Sequence, residues 1–257
     1  MTCDTSGPPH FGYYAGSSRV CHNKNMLKQL ILIIALFQAA AATGAAPWVG
    51  ETLDGDRCLG DAASVGPYDY FDADDESDRL WEEARLWETR YVHLLPAQQA
   101  LATKPFGFIP FDRASHEFDF LLRQFPNHPE ALQGIIELEL KVRFQASTGR
   151  RLVSKHPRPE CYFQRAIAFR PQQPHIRLLF GIYLHRLKLF DKAVEQYLAA
   201  ESLDGDNAEV QYNMGLAYAE LKQYDEAIVH AQRAYELGHP LPGLRRKLER
   251  AGRWPGS

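Results

Sequence analysis

The sequence predicts an all-α fold: a solenoid of about three to four helix pairs, with an irregular or helical N-terminal segment and a C-terminal capping helix. Three observations predict it. The chain repeats at an offset of 34 residues, the separation of Gly181 from Gly215. Each unit divides into two amphipathic halves, and small residues recur where those halves must cross.

The N-terminus reads as targeting rather than fold. Residues 1–25 are polar and turn-rich, an expected gene-model extension or overlong leader region. Met26-Leu27-Lys28 then precedes an apolar run, Leu30 to Ala42, and small residues up to Ala46, so 26–46 has the layout of a secretory signal. The run falls short of the roughly 20 apolar residues of a membrane span. The alternative is an uncleaved signal-anchor. Residues 47–110 do not repeat. Pro47 to Val65 is Gly/Asp-rich and irregular, Asp78 to Leu95 has helical spacing, and "TKPFGFIPF" (Thr103 to Phe111) reads as a broken aromatic loop.

Residues 111–254 carry the repetition. Offset by 34, Gly181 aligns with Gly215, Phe190 with Tyr224, Asp191 with Asp225, Ala193 with Ala227, Ala200 with Ala234 and Leu203 with Leu237. Glycine and alanine at these places let antiparallel helices approach, and the aspartates suit the first turn of a second helix. The clean units are 174–207 and 208–241. Upstream, Pro129 to Phe144 and Cys161 to Pro171 form a longer unit, and Phe111 to Pro126 reads as the second helix of an earlier one. "LPGLRRKLERAGRW", within 242–254 and its preceding residue, predicts a basic cap with Leu244 and Leu248 on one side. "LDGDN" (Leu203 to Asn207) has paired aspartates but falls between units, so it predicts a turn with Asp206 or Asn207 as N-cap, not a calcium loop.

The small/large pattern of 174–207 and 208–241 resembles the tetratricopeptide repeat. That resemblance implies a right-handed superhelix whose first helices line a concave groove. The inward positions are His175, Leu178, Ile182, His185 and Arg186, then Glu209, Tyr212, Leu216, Ala219 and Glu220. The family's carboxylate-clamp subtype carries Lys and Asn where this chain has Leu178/Ile182 and Tyr212/Leu216, so capture of a C-terminal carboxylate is not implied. A helix or an extended peptide suits the half-apolar row. In the alternative reading, residues 47–110 fill the groove. The order Cys58, "GPYDY" (Gly66 to Tyr70), "ECYFQRAI" and the basic cap is similar to a group of exported bacterial tetratricopeptide-repeat proteins, a likeness that implies export and no particular activity.

The chain has 257 residues, 45% hydrophobic and 24% charged, and a net charge of −3 that gives no footprint for bulk nucleic-acid binding. No nucleophile elbow, phosphate loop, dinucleotide fingerprint or zincin motif occurs, so no catalytic residue, cofactor or metal is nominated. Cys58 and Cys161 form a disulfide in one reading and are two separately buried thiols in the other; if paired, they bring the acidic run from Asp72 to Asp78 near the basic Arg150, Arg151, Lys155 and Arg158. The expected function is an exported, periplasmic or secreted scaffold that binds a protein or peptide partner without catalysis. The alternatives are an accessory protein of an envelope enzyme or transport system, active through its N-terminal segment, and a membrane-anchored structural protein.

Overall fold

The computed structural model describes residues 46–63, 66–71, 89–104, 108–149 and 156–255. The chain divides into two units, Met1–Ala45 and Ala46–Ser257. The leader and extension expected at the N-terminus lie outside the described residues, apart from Ala46.

Nine α-helices are present among the described residues: α1 Leu95–Ala102, α2 Phe108–Gln124, α3 Pro129–Ser147, α4 Pro159–Phe169, α5 Pro174–Arg186, α6 Phe190–Glu201, α7 Ala208–Glu220, α8 Tyr224–Glu236 and α9 Gly243–Arg250. Their ends follow from the residues placed there. Pro129, Pro159 and Pro174 open α3, α4 and α5, where a missing N–H costs nothing. Asn207 caps α7 by accepting from the amides of Glu209 and Val210, and Arg233 pairs with Asp206 beside it. "LDGDN" is therefore a capped turn, and Gly205 makes it without left-handed backbone. Lys188 and Lys222 end α5 and α7 at φ 62° and 60°.

The helices pack as antiparallel pairs, α1/α2, α3/α4, α5/α6 and α7/α8, with α9 against α7 and α8. Small residues set the spacing. Ala193, Ala200, Ala227 and Ala234 are fully buried, and a Cβ on Gly181 would lie 2.3 Å from Tyr197 Cε1. One continuous core runs from Leu94 to Ala217, and a second cluster joins α7 and α8 to Leu244 and Leu248 of the cap. Among the described residues the fold is all-α, a stack of paired helices.

Two expectations about the N-terminal part need correction. The boundary expected at 111 falls inside α2, which opens at Phe108, and the segment before it is not wholly non-repeating. A single wide π turn, Thr89–Leu94, runs into α1, which packs on α2 and α3 as the first helix of a pair. Its signal is weak because only Ala97, Ala100 and Leu101 are buried, a small-residue face with little amphipathic contrast. The helix expected over 78–95 lies outside the described residues as far as 88, as do 105–107 of the aromatic loop.

Residues 46–61 form no helix; they cover α4. Cys58 and Cys161 make a disulfide with Cα atoms 5.4 Å apart, both 1% exposed. Glu160, buried at the start of α4, accepts from the Leu53 amide at 2.9 Å and from the Tyr183 hydroxyl at 3.0 Å. Gln164 exchanges two hydrogen bonds with the backbone of Glu51. The buried Arg165 guanidinium donates to the carbonyls of Ala46, Leu122 and Arg123 and lies 5.0 Å from the Trp48 ring centre. Among the described residues, no buried side-chain nitrogen or oxygen of this cover lacks a hydrogen-bond partner, as burial requires. The acidic run from Asp72 to Asp78 and Arg150, Arg151 and Lys155 of the basic insertion lie outside the described residues; Arg158 is described and pairs with Asp54 at 3.3 Å, and Arg170 pairs with Asp69.

Candidate partner-binding groove

First helices touch in series, α1 to α3 to α5 to α7 to α9, whereas consecutive second helices stand further apart. Packing that is tight on one side and splayed on the other makes the row of first helices the inner side of the solenoid. The side chains of that row decide what the groove can hold.

The middle of the row is half-apolar. Ile182 on α5 and Leu216 on α7 occupy the same position in successive repeats, and both remain half-exposed. Around them lie the exposed Arg186, Glu209 and Glu220 and the half-buried His185. His185 packs edge-on to Phe190 at 5.1 Å, and its Nδ1 is buried without a hydrogen-bond partner among the described residues. Burial pushes its pKa down, which keeps the ring neutral. Glu220 is tied to Lys247 of the cap at 2.7 Å.

Four of the expected groove residues are covered, Ala219 at 4% exposure among them. Leu178 belongs to the core at 6% exposure. Tyr212 is 8% exposed because the turn after α8 folds back over α7: His239 stacks on its ring at 3.8 Å, and a Cβ on Gly243 would meet its hydroxyl at 2.7 Å. The connecting turn and the short helix α9 take the place that a next first helix would fill. His175, half-buried, carries the Phe71 ring edge-on at 4.8 Å and lies 3.4 Å from the Asn127 carbonyl. Residues of the 47–110 segment thus touch one end of the row; they do not reach Ile182 or Leu216 among the contacts described.

The row also extends further than expected. Glu130, Gln133, Glu137 and Lys141 of α3 line a cleft against Gln98, Leu101 and Ala102 of α1. These α3 positions match those of His175, Leu178, Ile182 and Arg186 when Pro129 is set against Pro174, the proline that opens each first helix. The eleven or so extra residues in that unit hide the register. This end of the groove is polar and acidic, unlike its middle. Among the described residues no group of three or more His, Cys, Asp and Glu is placed to hold a metal ion, and no helix is long and apolar enough to cross a membrane.

Paired helices with an inner row of this kind define an α-solenoid repeat protein. A tetratricopeptide-repeat family model matches residues 184–222, and a second matches 208–238. The chain thus carries tetratricopeptide repeats across 184–238. No curated protein sequence shows significant similarity to it. Among solved structures it is similar to a MamA double mutant (RS-1 ArsTM) at 19% identity over 64% of this chain and 86% of that one, with a TM-score of 0.42. A crystal structure of MamA is similar at 15% identity over 71% and 100%, TM-score 0.37. YrrB, described as a tetratricopeptide-repeat protein with an unusual peptide-binding site, is similar at 17% identity over 60% and 97%, TM-score 0.32.

Proposed function

We propose that this protein is a non-enzymatic interaction scaffold whose inner row of first helices seats a helix or extended segment of a protein partner. The observation that carries this reading is the pair Ile182 and Leu216. Two bulky apolar side chains at one repeat position stay half-exposed, on the face where such solenoids present their first helices. The polar surround of His185, Arg186, Glu209 and Glu220 gives a groove of this kind an apolar centre and a charged rim, the anatomy of a binding surface.

Export to an oxidising compartment belongs to the same proposal. The apolar run from Leu30 to Ala42 and the buried Cys58–Cys161 disulfide support it, since such bonds persist outside the reducing cytosol. The test is affinity capture from cells under mild crosslinking, comparing the wild-type chain with Ile182→Glu/Leu216→Glu. The double variant keeps its helical circular dichroism and loses the wild-type partners. Recovery of the same partners at the same yield contradicts the proposal.

A further inference from the structure

Residues Gly66 to Phe71 form neither helix nor strand, yet they are bonded closely to two inter-repeat turns. The Tyr68 amide donates to the Gln124 carbonyl at 2.7 Å, and the Tyr70 amide to Asn127 Oδ1 at 3.0 Å. Asn127, fully buried, donates through Nδ2 to Asp69 Oδ1 at 2.5 Å and to Gln173 Oε1 at 2.9 Å. Arg170 holds the other Asp69 oxygen. Aromatic rings follow the same line: Tyr68 against Phe125 at 5.6 Å, Tyr70 over His128 at 4.1 Å and Phe71 on His175 at 4.8 Å.

The body of the protein supplies four kinds of recognition to this short strap: a backbone acceptor, an amide reader, a cationic carboxylate pocket and imidazole shelves. Extended peptides are recognised by the same combination of main-chain bonds with side-chain pockets. Burial pushes the Asp69 carboxyl up, but its bonds from Arg170, the Phe71 amide and Asn127 outweigh that and hold it below the usual carboxylate range, so the acid is bound as an anion. The strap is tethered nearby through the Cys58–Cys161 disulfide. A short tether supplies an effective concentration on the order of millimolar, so the site fills even when its intrinsic affinity is modest. Phe71, moreover, is 56% exposed while docked.

We propose that the edge formed by Asn127, His128, Arg170 and His175 is a peptide-docking site that the chain fills with its own Gly66–Phe71 strap, and that an extended segment of a partner protein with aromatic–Asp–aromatic chemistry takes it by displacing the strap. This edge lies beside the inner row and does not depend on what Ile182 and Leu216 bind.

The test uses the full chain and a synthetic peptide, GPYDYF, blocked at both ends. The variant Asp69→Ala/Tyr70→Ala/Phe71→Ala vacates the site while leaving its walls intact. It binds the peptide with a Kd below about 1 mM, the scale the tether sets, and at least tenfold more tightly than the wild type. Adding Arg170→Ala to that variant weakens binding at least tenfold. A folded variant that does not bind, equal binding by the wild type, or indifference to Arg170→Ala overturns the proposal. Amide hydrogen exchange on the wild type decides the matter if the variant does not fold. The Tyr68 and Tyr70 amides then exchange through an opening distinctly easier than that of the α5 amides; exchange only by global unfolding makes the strap a fixed part of the fold and overturns the docking site.

Discussion

Lys188 and Lys222 stand at the same place in successive repeats, each in left-handed backbone at the turn between first and second helix. A side chain there costs roughly 1–2 kcal/mol, partly offset by the lower chain entropy lost when the residue is not glycine. Lys222→Gly is therefore expected to raise stability by about 0.5–1 kcal/mol in urea unfolding. Gly181 is the opposite case. Its missing Cβ would meet the ring of Tyr197, which is fully buried and has nowhere to move. Gly181→Ala is expected to cost about 1–3 kcal/mol by overpacking. His128 supplies a pH dependence. Burial holds its pKa down at about 4, with Arg90 opposing the charged form as well, while Tyr70 lies over the ring. The unfolded chain binds this proton first, because an exposed histidine titrates near about 6.5. The stability contributed by neutral His128 is complete above that value and is lost as pH falls toward 4, at up to about 1.4 kcal/mol per pH unit. Asp119 acts in the same direction at lower pH. Burial pushes it up, but bonds from His156 and from the Tyr162 hydroxyl at 2.5 Å outweigh that and lower its carboxyl, so its contribution is lost as acid protonates it. Melting scans are expected to show a falling Tm from pH 7 to pH 5, with a shallower slope in His128→Asn.

Among the elements, the two C-terminal pairs were the most legible in the amino acids, and the reason is steric. A close helix crossing admits only Gly or Ala, so Gly181/Gly215, Ala193/Ala227 and Ala200/Ala234 leave a periodic mark that survives without any alignment. The cap was legible for a related reason, since Leu244 and Leu248 are its only apolar helix residues of any size and both are fully buried. Asn207 was readable as an N-cap from its place before an apolar helix, and Asn207→Ala is expected to cost about 1 kcal/mol of unfolding free energy. The strap and α1 were not legible. The strap's partners lie 56 or more residues away, as with Tyr68 and Gln124, and no local pattern encodes such a contact. The covering of Tyr212 by His239 also escaped: the repeat register assigns the tyrosine to the inner face, but the turn and cap after α8 decide what lies on it.

For the whole molecule, the disulfide is the strongest single constraint on the N-terminal part. It closes a loop with a sequence separation of 103 residues. In the chain-entropy account a loop of that length is worth about 4–5 kcal/mol through the unfolded state. Cys58→Ser/Cys161→Ser is expected to lose most of that in urea unfolding and to loosen residues 46–61 first, visible as faster amide exchange at Leu53 and Cys58, whose amides bond to Glu160 and Gly50. With this cover in place the solenoid presents two distinct surfaces, an edge occupied by the strap and an inner row with an apolar centre. The central claim is that the inner row holds a partner. The most direct measurement is photo-crosslinking in living cells from a benzophenone amino acid placed at Leu216, with Val229, exposed on the second helix α8, as the control. Discrete crosslinks to a partner polypeptide from position 216 and none from 229 are predicted; equal crosslinking from both positions, or none from 216, contradicts the account.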